Sequence, residues 1–182
     1  FELQIGVNHL GHFLLTHLLL DFLKASAPSR IINVSSIAHT RGFIDTSDFN
    51  SENNYDPKKA YEQSKLANIL FTRELAKRLK DTGVTVNALH PGIVDSDLMR
   101  HMPVVSSFFG KIFVYPFLWL FSKYPSSGAQ TSLYCALEPH LENVTGQYFA
   151  DCKKTDVSEN AKDEKMGLWL WKLSEKWCRI ET

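Results

Sequence analysis

Apolar positions with helical spacing alternate along the chain with short runs of β-branched and aromatic residues. Four stretches show the helical period: residues 2–25, about 56–80, about 126–137 and 158–178. Three short runs predict strands: RIINVSS from Arg30, VTVNAL at 84–89, and QYFA at 147–150. The elements therefore follow the order helix, strand, helix, strand, helix, strand, helix.

This order predicts an α/β fold, because parallel neighbouring strands require helical crossovers. Three strands are half of a doubly wound parallel sheet. The first strand, RIINVS, is apolar enough to be covered on both faces and flanked by another strand, yet the sequence offers none before it. We therefore expect an N-terminal half in the full protein.

The pattern Tyr-x-x-x-Lys occurs twice, as Tyr55 to Lys59 and as Tyr61 to Lys65. Pro57 is suited to the first turn of a helix and disfavours helical geometry at the residue before it, so the helix begins after Tyr55. Residues four apart share a face only within a helix. The second pair is therefore predicted to share a face, whereas the first is a solvated loop and helix start.

A tyrosine beside a lysine can exchange protons with a substrate. A nearby ammonium favours the phenolate and so lowers the pKa of a tyrosine hydroxyl. Lys65 shares the less charged face of its helix with Asn68 and Thr72, where an unpaired lysine is uncommon. Tyr61 would then be the acid/base of a carbonyl–alcohol interconversion. From the pair alone, the alternative is that Tyr61 packs in the core and Lys65 extends to solvent.

Other polar residues fall where predicted strands end, which is where open α/β sheets bind ligands. Ser35 and Ser36 follow the first strand, and a hydroxyl there could hold a substrate oxygen. After the second strand, Pro91 and Gly92 turn the chain and allow the backbone to approach a flat ligand. Asn8 is a polar residue within the first apolar helix and needs a partner if it is buried. Each feature alone has an ordinary structural explanation, but together they indicate one site.

The composition of the chain limits the classes of molecule that it could bind. The length of 182 residues fits one domain, residues 1–182. The charges of the 20 basic and 20 acidic side chains balance, which argues against a nucleic-acid partner and favours a small uncharged one. Three widely spaced cysteines suit a reducing, intracellular compartment. His9, His12 and His17 lack a further ligand at a recognisable spacing, so we interpret them as ordinary helix histidines and expect no metal.

These motifs, in this order, resemble those of the short-chain dehydrogenase/reductase family: VNHLGHFLLT, IINVSS, YEQSK and HPGIVDS. The resemblance covers the chain from Phe1 to about Ala150 and implies the C-terminal portion of a Rossmann-type doubly wound sheet. The long separation of Ser36 from Tyr61 is similar to that of the retinol dehydrogenase branch, as are HLGHFLLTHLLL, SKLAN and GAQTSLYCAL.

The resemblance implies a role for each of four residues. Tyr61 would be the general acid/base, and Ser36 would bind the substrate oxygen. Lys65 would favour the phenolate of the tyrosine and bind the nicotinamide ribose, and Asn8 would hold a water in a proton relay through that lysine. The substrate would be a small apolar carbonyl or alcohol such as retinal or retinol.

The resemblance also implies a nicotinamide cofactor, NADP(H) with NAD(H) as the alternative. Besides Tyr61 and Lys65, four residues after the second strand would contact it: Pro91, Gly92, Val94 and Ser96. The branch is associated with the endoplasmic reticulum membrane, which suggests membrane-surface association for this chain.

Three alternatives stay open at this point. The apolar segment 104–121 is either a lid or interfacial helix, or a core helix. Leu66 and Leu70 are placed among charges, where they could meet a second subunit of a homodimer. The protein could also be a catalytically silent binding or regulatory protein, or a truncated inactive product, on the same fold.

We expect the 182-residue chain alone to bind the cofactor poorly and to be inactive. In the family, the glycine-rich turn for the pyrophosphate and the residue that selects NAD or NADP precede the position of Phe1. The measurement is NADPH-dependent reduction of retinal by the purified chain, and measurable turnover would contradict the expectation.

Overall fold

Three parallel strands form the centre of the sheet, as the sequence predicts. The computed structural model describes residues 1–94 and 123–180. Strands β1 (Ser29–Val34), β2 (Val84–His90) and β3 (Tyr148–Ala150) are neighbours in that order. Val34 lies beside Leu89, which lies beside Phe149. The carboxyl ends of the three strands therefore share one edge of the sheet.

The two borders of the sheet differ from each other. A fourth strand that the sequence did not predict, β4 (Lys153–Lys154), pairs antiparallel with β3. Its two-residue turn places Asp151 and Cys152 at φ of 50° and 57°, a geometry that usually selects Gly or Asn, so the sequence lacks the usual turn signal. At the other border, β1 pairs only with β2 among the described residues, and its outer edge is open.

The helices match the predicted stretches with local differences. They are α1 (Leu3–Ile5), α2 (Gly11–Ala25), α3 (Pro57–Arg78), α4 (Pro125–Gly128), α5 (Gln130–Leu137) and α6 (Glu164–Cys178). A π-helical turn, Gly6–Leu10, joins α1 to α2 and contains Asn8. Such turns occur frequently at functional sites. The predicted last helix is divided into a 3₁₀ turn, Glu159–Lys162, and α6.

Helix α3 begins where the sequence predicts. The Asp56 carboxylate caps it by accepting the backbone N–H groups of Lys58 (2.8 Å) and Lys59 (3.1 Å), and Pro57 is its first residue. Tyr55 lies outside the helix with 59% of its surface exposed. The helix therefore carries Tyr61 and Lys65 together and leaves Tyr55 in the preceding loop.

The predicted exposure of Leu66 and Leu70 is wrong. Both are at most 2% exposed and lie in a core cluster with Ala161 and Leu170. Helix α6 packs over this face of α3, while the sheet covers another face. Leu66 lies against the turn at Gly42 and Leu70 lies beside α6, so the chain itself covers the surface suggested for a second subunit, which periodicity within α3 alone does not reveal.

Helix α2 is apolar around most of its circumference. Phe13 packs in the core against Phe71 and Trp171. The opposite face exposes Leu18 and Phe22. Among residues 1–94 and 123–180, none of the helices has the length and apolar character needed to cross a membrane. The 104–121 segment lies outside the described residues.

A tight contact holds the chain after β1 against α3. A 3₁₀ turn, Ile37–Arg41, is followed by Gly42, which is buried with φ of −67°. A Cβ atom at Gly42 would lie 2.6 Å from the backbone oxygen of Glu62 and 2.8 Å from Cβ of Leu66. Only glycine fits here, and the reason is space rather than backbone angle.

His9 joins the N-terminal and C-terminal helices in the core. Its Nε2 lies 2.8 Å from Oγ of Ser174, which itself donates to the carbonyl of Leu170, so His9 is the donor. The ring has no solvent exposure, and burial lowers the pKa of His9 from 6.5 to about 4, with the Asn68 amide offsetting part of this effect. His9 is therefore neutral in the fold and acts as a structural residue.

Gly42→Ala should destabilise the fold by about 1–3 kcal/mol. The new methyl group would clash with backbone atoms, which cannot shift without distorting the surrounding structure. Gly167→Ala is the matched control: its Cβ would lie 3.9 Å from the nearest atom, the backbone oxygen of Leu70. In a helix this change should stabilise the protein by up to about 1 kcal/mol. Urea unfolding of both variants measures the change in the free energy of unfolding, which should be negative for Gly42→Ala and positive for Gly167→Ala. Equal changes in the two variants would contradict the packing described.

His9 should make the fold sensitive to acid. Between pH 6.5 and about 4 the unfolded chain binds a proton at His9 that the folded chain does not, so stability present above pH 6.5 is lost as the pH falls. The full loss amounts to about 3 kcal/mol. In His9→Gln the free energy of unfolding should depend less steeply on pH across this window. An unchanged pH dependence in His9→Gln would contradict this account.

Candidate active site

The end of β1 is attached to α3 by a cluster of polar contacts. Because the N–H of Ser35 donates to Leu89 in β2 (2.7 Å), the carbonyl of Val34 in the same peptide points away from β2. That carbonyl accepts hydrogen bonds from Nζ of Lys65 and Nδ2 of Asn68, both at 3.3 Å. The Ser35 hydroxyl donates to the carbonyl of Lys65 at 2.7 Å. The lysine ammonium is thus fixed at the carboxyl edge of the sheet.

Tyr61 lies one helical turn before Lys65, as predicted. The Lys65 Nζ atom is 5.5 Å from the centre of the Tyr61 ring, and both side chains are half-buried. Burial lowers the pKa of Lys65, because desolvation disfavours the ammonium. The ammonium carries three donors, and among the described residues its hydrogen bond goes to the Val34 carbonyl.

Asn8 is held in a defined orientation. Its Nδ2 donates to Oε1 of Gln4 and to Oγ of Ser64, both at 3.0 Å, and Ser64 donates in turn to the carbonyl of Tyr61 at 2.8 Å. These bonds use both amide hydrogens of Asn8, so its Oδ1 remains as an acceptor. The sequence analysis missed Gln4 and Ser64, although Gln4 stands four residues before Asn8 on the same helical face.

Ser35 and Ser36 have different roles. Ser35 is 2% exposed, and its hydroxyl proton is used in the bond to Lys65. Ser36 is half-buried, and its Oγ accepts the N–H of Ala38 at 3.2 Å as the cap of the 3₁₀ turn. No acceptor within residues 1–94 and 123–180 takes the Ser36 proton, which can therefore donate to another oxygen. Of the two serines, only Ser36 can offer a hydrogen bond to a ligand.

The turn after β2 lies beside this cluster at the same sheet edge. Gly92 has φ of +93°, which favours glycine, and the aliphatic chain of Lys123 lies next to it. Lys123 donates its backbone N–H to the carbonyl of Ile93 at 2.7 Å, and its ammonium pairs with Asp151. This lysine, which the sequence analysis missed, anchors the turn that contains Pro91 and Val94.

The structure thus brings three of the predicted residues into one bonded cluster. Asn8 is joined through Ser64 to the backbone of Tyr61, the Tyr61 ring lies 5.5 Å from Nζ of Lys65, and Lys65 bonds to the end of β1, where Ser36 follows directly. Pro91, Gly92 and Val94 lie at the end of the neighbouring strand, at the same edge of the sheet. Ser96 lies outside the described residues.

The other tyrosine–lysine pair is elsewhere. Tyr55 and Lys59 are exposed and line a groove of about 900 Å³ whose walls are mostly polar and charged. Neither Ser36, Tyr61 nor Lys65 lines this groove. Because it carries none of the linked residues, we do not place the reaction there.

The linked residues combine an acid/base, a cation and a hydroxyl donor. Within residues 1–94 and 123–180, no group of three or more histidine, cysteine or acidic side chains could hold a metal ion. A phenol that exchanges a proton beside an ammonium, with a second hydroxyl to bind an oxygen, is suited to converting a carbonyl to an alcohol.

Comparisons with known proteins identify the family of the chain. The family model for short chain dehydrogenase matches residues 1–103. Human retinol dehydrogenase 14 is 53% identical over 178 residues, covering 96% of this chain and 52% of the relative. Mouse retinol dehydrogenase 13 is 54% identical over 172 residues, covering 94% and 52%. The chain therefore spans about half the length of the curated relatives it matches.

Solved structures show the same fold. An uncharacterised protein from Mycobacterium paratuberculosis is 33% identical with a TM-score of 0.65, covering 100% of this chain and 60% of that one. A protein from Thermus thermophilus is 21% identical with a TM-score of 0.60, covering 81% and 56%, and supports the fold alone. With a family model that matches more than half of its residues, the chain belongs to the short-chain dehydrogenase family.

Proposed function

We propose that the protein interconverts a carbonyl and an alcohol by hydride transfer with NADP(H), with NAD(H) as the alternative cofactor. The observation that carries this proposal is the position of Tyr61 and Lys65 on one turn of α3, with the lysine ammonium bonded to the end of β1. Residues 1–182 would form one partial domain that contributes the catalytic and substrate-binding part of the enzyme.

Tyr61 acts as the acid/base in this proposal. Its phenol donates a proton to the substrate oxygen in reduction and removes one in oxidation. The Lys65 ammonium favours the phenolate form electrostatically, and the half-buried setting strengthens that interaction. With one donor bonded to Val34, Lys65 has two donors left for the ribose hydroxyls and for a relayed proton.

Ser36 and Asn8 complete the proton-transfer set. The free Ser36 proton donates to the substrate oxygen and holds the reacting carbonyl towards Tyr61. The Oδ1 of Asn8 accepts a hydrogen bond from a water that relays protons to and from Lys65. Its orientation is set before any ligand binds, because Gln4 and Ser64 occupy both hydrogens of the amide. Such preorganisation reduces the barrier to proton transfer.

The turn after β2 suits a flat cofactor ring. Gly92 offers no side chain and adopts φ of +93°, so backbone groups of Pro91, Gly92 and Val94 could approach the nicotinamide, with Ser96 following. When bound, the nicotinamide supplies the hydride. The contribution of the chain is to orient that ring and to move the proton.

The substrate would be retinal, retinol or a similarly apolar compound. This rests on the similarity to retinol dehydrogenases 13 and 14 over nearly the whole chain. A substrate of this kind partitions into membranes, which is consistent with an enzyme at the surface of the endoplasmic reticulum. A homodimer also stays a proposal, and it would need a surface other than Leu66 and Leu70.

Tyr61→Phe should lower kcat/KM by at least about 100-fold, because it removes the hydroxyl that exchanges the proton but keeps the aromatic ring beside Lys65. The measurement is retinal reduction by the full-length protein expected from the family, with cofactor affinity determined by fluorescence and expected to change little. Tyr55→Phe is the matched control and should retain the wild-type rate. An unchanged rate for Tyr61→Phe would refute the assigned role and favour the catalytically silent alternative.

A further inference from the structure

A buried histidine without an assigned role lies behind Ser36. His39 is the third residue of the 3₁₀ turn that follows Ser36 and is 1% exposed. Its ring packs edge-on against Tyr148 of β3, with 4.8 Å between ring centres. An apolar side chain could fill this space, so the polar atoms of the imidazole require an explanation.

The contacts of the ring define its protonation state. The Nδ1 atom lies 2.7 Å from the carbonyl oxygen of Ser36, which can only accept, so Nδ1 carries a hydrogen. The Nε2 atom faces the backbone nitrogen of Ser158 at 3.4 Å, and because that nitrogen can only donate, Nε2 presents its lone pair. Both contacts require the same neutral tautomer, and burial, which lowers the pKa of His39, also favours the neutral ring.

The bond to Ser36 acts on the residue proposed to hold the substrate oxygen. The Ser36 carbonyl also accepts the backbone N–H of His39 at 3.1 Å, while its Oγ accepts the N–H of Ala38 at 3.2 Å. The backbone and the hydroxyl of Ser36 are thus held from the same side. The turn therefore fixes the position of the hydroxyl oxygen from which a proton would be donated.

The other side of the ring connects to a segment distant in sequence. Ser158 follows the β3–β4 hairpin, 119 residues after His39, and its hydroxyl also donates to the carbonyl of His39 at 3.5 Å. Nearby, Nδ2 of Asn160 donates to the carbonyl of Gly42 at 2.9 Å. Residues 158–160 therefore hold both the middle and the end of the turn that begins at Ser36.

We propose that His39 is a positioning residue which, as the Nδ1–H tautomer, links the Ser36 carbonyl to the backbone of Ser158 and so orients the Ser36 hydroxyl. The catalytic consequence rests on the function proposed above for Ser36. The tautomer and the link to Ser158 do not depend on that function.

The first test is nitrogen-15 NMR of the 182-residue chain, labelled at histidine. We expect Nδ1 of His39 to be protonated and Nε2 to be unprotonated. Ser158→Pro removes the N–H that faces Nε2 and suits the φ of −61° at this position, whereas Ser158→Ala keeps that N–H. The Nε2 resonance should shift in the proline variant and stay unchanged in the alanine variant. A protonated Nε2, or no difference between the variants, overturns the proposal.

The second test separates positioning from general stability by retinal reduction in the full-length protein. His39→Asn keeps a donor where Nδ1 lies and should stay within about threefold of wild type, whereas His39→Gln places its amide near Nε2 and should lower kcat about tenfold with little change in KM. In a Ser36→Ala background, His39→Gln should cause no further loss. Equal losses in both backgrounds overturn the proposal. If Ser36→Ala alone has no effect on the rate, the proposed function fails, and the NMR result still decides the tautomer.

Discussion

The carbonyl of Val34 is the group on which the arrangement of this site depends. It lies at the last residue of β1, points away from β2, and accepts both Lys65 and Asn68 from α3. A lysine ammonium in a half-buried setting is held in place by a bonded oxygen, because without a partner its desolvation would be unfavourable. The bond between Ser35 and the backbone of Lys65 adds a second attachment. Strand end and helix therefore keep one relative position.

Two further attachments extend this cluster in opposite directions. On one side, the π-helical turn brings Asn8 to Ser64, so the N-terminal helix is joined to α3 directly beside Lys65. On the other side, the turn after β1 is held by His39 and Gly42, through contacts to residues 158–160. The candidate site is thus assembled from four separated parts of the chain. Each part forms hydrogen bonds with polar groups of at least one other part.

The sequence predicts the parts of this site that depend on local geometry. Pro57 starts α3, so the choice of Tyr61 and Lys65 over Tyr55 and Lys59 follows from a helix boundary. Among the described residues β1 pairs only with β2, so its other border is open. The sequence does not distinguish Ser35 from Ser36, because the difference between them is a hydrogen bond to a residue 30 positions away. The expectation for Leu70 is wrong for the same reason, because this residue lies beside Gly167 of α6, almost 100 residues later in the chain.

The sequence by itself determined the order of helices and parallel strands, the start of α3 and the pair of residues that could exchange protons. These features depend on periodicity, capping and the fixed φ of proline, all of which act over a few residues. Only the tertiary structure decided which polar atoms of the site are bonded across the fold. The Ser35 hydroxyl, one donor of Lys65 and one amide hydrogen of Asn8 bond to residues 30 or more positions away, and such long-range pairing has no local sequence signal.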